Sequence, residues 1–177
     1  MKLLACLSAL ALPLALASAA SAHATFAESD VVPNQTARLT VRIGHGCGEE
    51  ATLRVRVRIP DGMISAQPMV KAGWTLETIT GPYDKPHDSF GHPLTEGVKE
   101  IVWSGELPAA YYDEFVFRGR VTDTIPTGEM LYIPVVQECA TGAERWINIP
   151  AAGQDAHSLD HPAPGVMVVP AAEAHGH

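Results

Sequence analysis

Residues 51–59, ATLRVRVRI, alternate apolar and charged side chains, and this stretch decides the class of fold. The apolar members are Leu53, Val55, Val57 and Ile59, and the charged members are Arg54, Arg56 and Arg58. Successive strand residues point to opposite faces of a sheet, so this pattern predicts a strand buried on one face. Residues 36–43, TARLTVRI, repeat the pattern with Leu39, Val41 and Ile43. We interpret the arginines as a solvated sheet face paired with acidic neighbours, in preference to a basic binding stripe.

Further strand patterns recur along the chain, separated by turn-forming Gly, Pro and Asp. They cover residues 74–80, 98–103, 114–121, 130–137 and 144–149. Helical periodicity is hard to find. Seven or more short strands at this spacing predict an all-β fold, an antiparallel β-sandwich of the immunoglobulin or cupredoxin-like kind.

The sequence divides into three predicted segments, of which the sandwich is the central one. Residues 1–22 are predicted to be a signal peptide, residues 23–160 the β-sandwich domain, and residues 161–177 a Pro/Ala/His tail that is largely disordered apart from a short strand at 165–169. Within the domain, residues 81–97 are polar and rich in Gly, Pro and His, and we predict a long surface loop there.

The first 22 residues have the features of an export signal. Lys2 supplies a positive charge, residues 3–17 are almost continuously apolar, and Ala20-Ser21-Ala22 has the small-x-small pattern of a cleavage site. The apolar run is shorter than the roughly 20 residues that a spanning helix needs. We therefore expect cleavage before His23, a periplasmic mature protein, and no membrane anchor.

The net charge of the chain limits the classes of partner that it can bind. Without Lys2 the mature chain has 11 Lys and Arg against 20 Asp and Glu, a net charge near −9. Such a charge argues against binding to nucleic acid or to an anionic membrane surface, and it is compatible with attracting a cation.

Two cysteines remain after cleavage, Cys47 and Cys139. An even number of cysteines in an exported chain favours a disulfide. The alternative is a pair of thiolate ligands for a soft metal, which oxidising conditions disfavour. A bridge would join an early strand to a late one.

The predicted terminal residue, His23, is the first candidate metal ligand. An α-amine has a pKa of about 7.7–8 and gives up its proton more readily than lysine does. The amine and the imidazole Nδ1 of one residue together close a six-membered chelate ring. Two nitrogens at a right angle suit the tetragonal preference of Cu(II), which also leads the divalent affinity series.

Three more candidate ligands lie between the two arginine-bearing strands. In the glycine-rich segment 44–50, His45, Glu49 or Glu50 could complete a coordination plane begun by His23. The alternative is a connection pinned by Cys47 with an exposed histidine. Trp146 is predicted to line a pocket or point outward, because alternation places Ile147 and Ile149 on the core side. Its indole N–H only donates and would orient a ligand without binding the metal.

The remaining histidines are scattered, and catalytic motifs are missing. His87 and His92 fall in the predicted loop, and the others, which could bind metal weakly, are His157, His161, His175 and His177. No nucleophile elbow, phosphate loop, zinc-protease motif or C-x-x-C occurs. We therefore expect a protein that is not an enzyme.

An ordered set of motifs along nearly the whole mature chain resembles the YcnI-like copper-binding family, in its proteobacterial branch. The pieces are His23-Ala24-Thr25-Phe26, His45-Gly46-Cys47-Gly48, Ala51-Thr52, Arg58-Ile59-Pro60-Asp61-Gly62, Gly73-Trp74, Ile101-Val102-Trp103-Ser104-Gly105, Leu107-Pro108, Tyr112-Asp113-Glu114-Phe115-Val116-Phe117, Val136-Gln137-Glu138-Cys139 and Arg145-Trp146-Ile147. The order of the pieces carries the resemblance, since each piece alone is unspecific.

The resemblance implies a β-sandwich that binds Cu(II) through its N-terminal histidine and serves copper homeostasis beside a copper transport protein of the inner membrane. His23 matches the histidine brace and Trp146 matches the tryptophan of the pocket. Some members have a glutamate just after the second strand, where this chain has His45-Gly46, so His45, Glu49 and Glu50 stand as alternative ligands. We expect a copper carrier. The alternatives are a copper oxidase built on an N-terminal histidine and a partner-binding sandwich with incidental metal affinity.

Overall fold

The computed structural model describes residues 23–89 and 91–171. The predicted signal peptide and the last six residues of the predicted tail, with His175 and His177, lie outside this range. Within this range, no helix is both long enough and apolar enough to cross a membrane.

The described residues form twelve strands and one short 3-10 helix. The strands are β1 (Thr25–Phe26), β2 (Asp30–Val31), β3 (Thr36–Ile43), β4 (Thr52–Arg58), β5 (Met63–Pro68), β6 (Thr75–Ser89), β7 (His92–Leu107), β8 (Asp113–Val121), β9 (Met130–Tyr132), β10 (Val135–Cys139), β11 (Ala143–Trp146) and β12 (Gly165–Val168), with the 3-10 helix at Ala156–Ser158. The prediction of an all-β fold is confirmed.

Two antiparallel sheets enclose the core. One has the strand order β1-β3-β8-β5 and the other the order β11-β10-β4-β7-β6. The alternating residues of β3 and β4 point into the space between the sheets, where Val41 and Val55 are fully buried. Phe115 and Trp103 from β8 and β7 pack in the same cluster, with ring centroids 5.6 Å apart. The period-2 pattern of the sequence therefore builds this core directly.

A third, smaller sheet closes one end and includes part of the predicted tail. Its order is β2-β12-β9, with β2 and β12 parallel. Val166 and Val168 of β12 are fully buried, so the packed fold extends past residue 160 to Val168. The predicted strand at 130–137 divides at Pro134, and its two halves, β9 and β10, belong to different sheets.

The prediction of a surface loop at residues 81–97 was wrong. This segment forms the outer half of a long β6–β7 hairpin, in which Gly81 pairs with Gly97 and His87 with Leu94. Most of its side chains are exposed on both faces, so it lacks the alternation that marks a half-buried strand. Backbone hydrogen bonds between β6 and β7 hold this part of the hairpin together. Backbone pairing does not require alternating apolar side chains, so the sequence shows no strand pattern here.

Individual residues of two predicted core faces were also placed wrongly, although Val55, Val57 and Ile59 are buried as predicted. Leu53 is 40% exposed, because the register of β4 against β7 shifts between Thr52 and Arg54 and turns Thr52 inward. After β11, Ile147 and Ile149 are 42% and 57% exposed. There the Ile147 N–H donates to the Arg145 carbonyl two residues earlier (2.9 Å), a tight turn that ends the strand alternation.

Candidate metal site

His23 lies against Trp146 in the folded chain. It precedes β1, whose Thr25 is paired with Arg42 near the end of β3. The two ring centroids are 5.2 Å apart and the planes are tilted by 55°. Trp146 is only 4% exposed and stands at the end of β11, opposite Val135. Trp146 therefore points inward, where it forms a wall beside the predicted terminal residue.

A second histidine, His161, meets Trp146 as well. Its ring centroid is 5.2 Å from that of Trp146 in an edge-on arrangement, and its Nδ1 is 3.8 Å from the Glu144 carboxylate. The His161 carbonyl accepts a hydrogen bond from the Asn148 N–H (3.0 Å), which fixes this segment beside the residues that follow β11. His161 was predicted to lie in the tail, because no local sequence pattern indicates a contact that forms only when the chain returns to the sheet.

One ring nitrogen of His45 forms a hydrogen bond, and the other has no hydrogen-bond partner among the described residues. Its Nδ1 lies 2.5 Å from the Gly46 carbonyl oxygen. A carbonyl oxygen only accepts, so Nδ1 carries the proton and Nε2 holds a lone pair. His45 Nε2 and Trp146 Nε1 are both buried and have no hydrogen-bond partner among the described residues. Trp146 thus presents an unsatisfied donor beside His23, and His45 presents an unsatisfied ring nitrogen in the segment that follows β3.

The segment that carries His45 is held from two sides. Cys47 and Cys139 form the predicted disulfide, with Cα atoms 6.1 Å apart. Buried Gln137 donates from Nε2 to the His45 carbonyl (2.6 Å) and to Thr52 Oγ1 (2.8 Å). Gln137 is two residues from Val135, the partner of Trp146, on the same face of β10. These contacts fix the His45 backbone to the strand that pairs with the Trp146 strand.

The two predicted carboxylate ligands do not join this group. Glu50 accepts hydrogen bonds from the Thr141 hydroxyl and from the Thr141 N–H (2.9 Å). The hydroxyl bond is the main cause that lowers the pKa of Glu50. Glu49 is exposed. In residues 23–89 and 91–171, no three His, Cys, Asp or Glu side chains form a group that could hold a metal ion. The predicted set of His23, His45, Glu49 and Glu50 is thus not assembled by side chains alone.

Comparison with known proteins agrees with this architecture. The chain is similar to a crystal structure of an uncharacterized protein from Nocardia farcinica described as having an immunoglobulin-like fold, with a TM-score of 0.59 and 20% identity over 83% of this chain and 98% of that one. The chain is thus an all-β protein of immunoglobulin-like fold. It belongs to the family described as a domain of unknown function (DUF1775), whose model matches residues 23–168. No curated protein matches it significantly.

Proposed function

We propose that this protein is a periplasmic Cu(II)-binding carrier of the YcnI-like kind, exported by residues 1–22 and not an enzyme. The metal is held by the α-amine and Nδ1 of His23 after cleavage, beside the wall formed by Trp146. The observation that carries the proposal is the 5.2 Å contact between the rings of His23 and Trp146. A chelating terminus needs a defined position on the fold, and this contact provides one.

The start of the family match supports the proposed processing. The match begins at residue 23, the first residue after the predicted cleavage site. In the uncleaved chain the nitrogen of His23 belongs to a peptide bond, where its lone pair is delocalised into the carbonyl group and cannot act as an amine ligand. Export and metal binding are therefore linked in this proposal.

His45 fits a third ligand better than Glu49 or Glu50 does. Metal-binding histidines usually donate their other ring N–H to a carbonyl or carboxylate, which fixes the ring and the tautomer. His45 has this arrangement through Gly46, with Nε2 left unpaired. Glu50, by contrast, already bonds to Thr141. A donor set of three nitrogens suits Cu(II).

The test of the brace compares two proteins that differ only at the terminus. One has a free α-amine at His23, and its matched control, prepared by semisynthesis, carries an acetyl group on that amine. Both are titrated with Cu(II) and followed by electron paramagnetic resonance. We expect the protein with the free amine to bind at least 100-fold more tightly, because acetylation converts the amine into an amide and leaves no second amine at the terminus. Equal affinity would show that the brace is wrong.

A second comparison tests His45 separately. We expect His45→Ala to lose one nitrogen from the hyperfine pattern of bound Cu(II), while Glu50→Gln leaves that pattern unchanged. If the pattern of His45→Ala equals that of the parent, His45 is not a ligand and the brace at His23 still stands.

The carrier assignment is tested against oxidase activity. With copper, a reductant and oxygen, we expect no sustained release of oxidised products from polysaccharides. Sustained turnover would overturn the carrier in favour of an oxidase. The proposed recipient or donor of the copper is a copper transport protein of the inner membrane.

A further inference from the structure

A groove of about 700 Å³ lies on the outer face of the five-stranded sheet, away from the core. β11 contributes to both sides of that sheet, because successive strand residues alternate. Trp146 points inward to His23, whereas Arg145 lines the groove. The groove is therefore separate from the candidate metal site, although one strand borders both.

The cations of the groove fall into two groups. Arg56 is neutralised by ion pairs with Glu100 (2.5 Å) and Glu138 (3.0 Å), and Lys99 by Asp61 (2.6 Å). The other two lining cations, Arg58 and Arg145, form no side-chain hydrogen bond or salt bridge with any described residue, although Arg58 is close enough to Asp61 to help lower the pKa of that carboxyl group. Two guanidinium groups without a salt bridge in one groove are unexpected on a chain with a formal net charge of −8.

Apolar side chains are exposed beside these two arginines. Ile147 and Ile149 line the groove next to Tyr132 and Pro134. An exposed branched aliphatic side chain gains free energy when a partner covers it. The groove thus combines guanidinium groups that form no salt bridge with exposed apolar surface.

The register of the strands places the arginines around a common centre. Arg145 is opposite Val136, and Val136 is opposite Arg56 on its other side. Neighbouring strands are about 4.8 Å apart, so the Cα atoms of Arg145 and Arg56 are separated by about 10 Å. Arg58 lies two residues, about 7 Å, further along the same face of β4. Long side chains that start at such separations reach a single anionic group between them.

We propose that this groove binds a soluble amphipathic anion, a carboxylate or phosphate head on a short hydrocarbon body. Arg58 and Arg145 hold the head, because planar guanidinium groups form paired hydrogen bonds with such oxygens. Ile147, Ile149 and Tyr132 cover the hydrocarbon. The size of the groove is in the range of small-molecule sites, about 300–1,000 Å³.

The test uses octanoate as the probe and octylammonium as its charge-reversed control, both followed by amide NMR of the exported protein. We expect octanoate to cause saturable shifts at Arg145, Ile147 and Ile149, and octylammonium to cause none there. Equal shifts with both probes, or no shifts with octanoate, would overturn the anion site.

Substitutions of individual residues test which side chains bind octanoate. Arg58→Ala combined with Arg145→Ala should weaken octanoate binding at least tenfold, whereas Arg120→Ala, a change on β8 outside the groove, should leave it unchanged. Ile149→Ala, a mild change at an exposed position, should weaken binding two- to fivefold and gives a second readout if the double variant folds poorly. Unchanged affinity in both groove variants would refute the assignment.

Cosedimentation with vesicles of phosphatidylglycerol distinguishes binding of a soluble ligand from binding to a lipid surface. We expect no cosedimentation, because the groove is concave and the molecule is acidic overall. Cosedimentation that the double variant abolishes would assign the arginines to a membrane surface and overturn the soluble ligand.

Discussion

Trp103 and Trp146 are both buried, but their indole N–H groups differ. Trp103 donates from Nε1 to the Met69 carbonyl (3.1 Å), whereas Trp146 Nε1 has no partner among the described residues. Leaving a buried donor unsatisfied costs about 1–3 kcal/mol. The unsatisfied N–H of Trp146 therefore carries a cost in stability, and a group bound beside His23 that accepts its hydrogen bond would recover part of that cost.

Replacing each of these tryptophans by phenylalanine measures the difference. The two variants lose a similar amount of buried ring, so we expect Trp103→Phe to cost about 1–3 kcal/mol more than Trp146→Phe, since only the former breaks a hydrogen bond. Urea unfolding gives both free energies. Equal losses would mean that the Trp146 N–H is satisfied in solution, for example by water.

At this scale the sequence indicated His23 and Trp146 but not the geometry between them. The role of His23 as the terminal residue follows from a local cleavage pattern and stays a prediction. The inward direction of Trp146 was not predictable, because a turn at Ile147 reverses the faces that alternation assigns. The bond between Glu50 and Thr141 joins residues 91 positions apart, and no local pattern reveals it.

Among the elements, the β6–β7 hairpin depends on a close approach between Tyr83 and Gly97. A Cβ atom on Gly97 would lie 1.8 Å from Tyr83 Oη, and that hydroxyl accepts a hydrogen bond from the Ser65 N–H (3.1 Å). We expect Gly97→Ala to displace the tyrosine and to cost about 1–3 kcal/mol in unfolding free energy. Gly142→Ala is the matched control, since nothing lies within 4 Å of a Cβ there. Equal stability of the two variants in urea would contradict this role of Gly97.

The pairing of β4 with β10 contributes a pH dependence. Glu138 accepts hydrogen bonds from Arg54 and Arg56, both 3.0 Å long. Partial burial acts to raise the pKa of Glu138, but the guanidinium hydrogen bonds outweigh it and hold the pKa below the usual 4.5. A carboxyl group whose pKa is lower in the folded state stabilises the fold above its unfolded pKa, and this contribution is lost as pH falls through the folded pKa.

We therefore expect the free energy of unfolding to decrease as the solution is acidified below about pH 4.5. Glu138→Gln should cost about 0.5–1 kcal/mol at pH 7 and should approach the parent protein near pH 3. Thermal unfolding at several pH values measures this, with the exposed Glu49→Gln as control. A constant difference between parent and variant at all pH values would exclude the ionised form as the cause.

Strands β3, β4 and β8 were predictable because a residue at every second position faces the core, whereas β5, which contributes buried Met63 and Ile64, was not predicted. β3 and β8 match their predicted bounds within one residue, and β4 differs only at its ends. The outer half of the β6–β7 hairpin was not predictable, since exposure on both faces removes the alternation. The register shift at Thr52 likewise depends on the partner strand and not on the sequence of β4.

For the whole molecule, the disulfide joins residues 92 positions apart. We expect the double variant Cys47→Ser/Cys139→Ser to lose about 2–4 kcal/mol of unfolding free energy, mainly because the unfolded chain regains the freedom of a long loop. Urea unfolding with and without reductant measures the loss. The parent protein in reductant should match the variant, and an unchanged midpoint would show that the bridge does not stabilise the fold.

The order of the strands in the third sheet also affects how a chain that emerges from its N-terminus can fold. Asp30 pairs with Met167, so an early strand has no neighbour until almost the last residues of the domain have emerged. Until then the buried face of Val31 is uncovered. A chain of this topology, whether it emerges from a ribosome or from an export channel, stays open to chaperones and proteases until its C-terminal strand arrives.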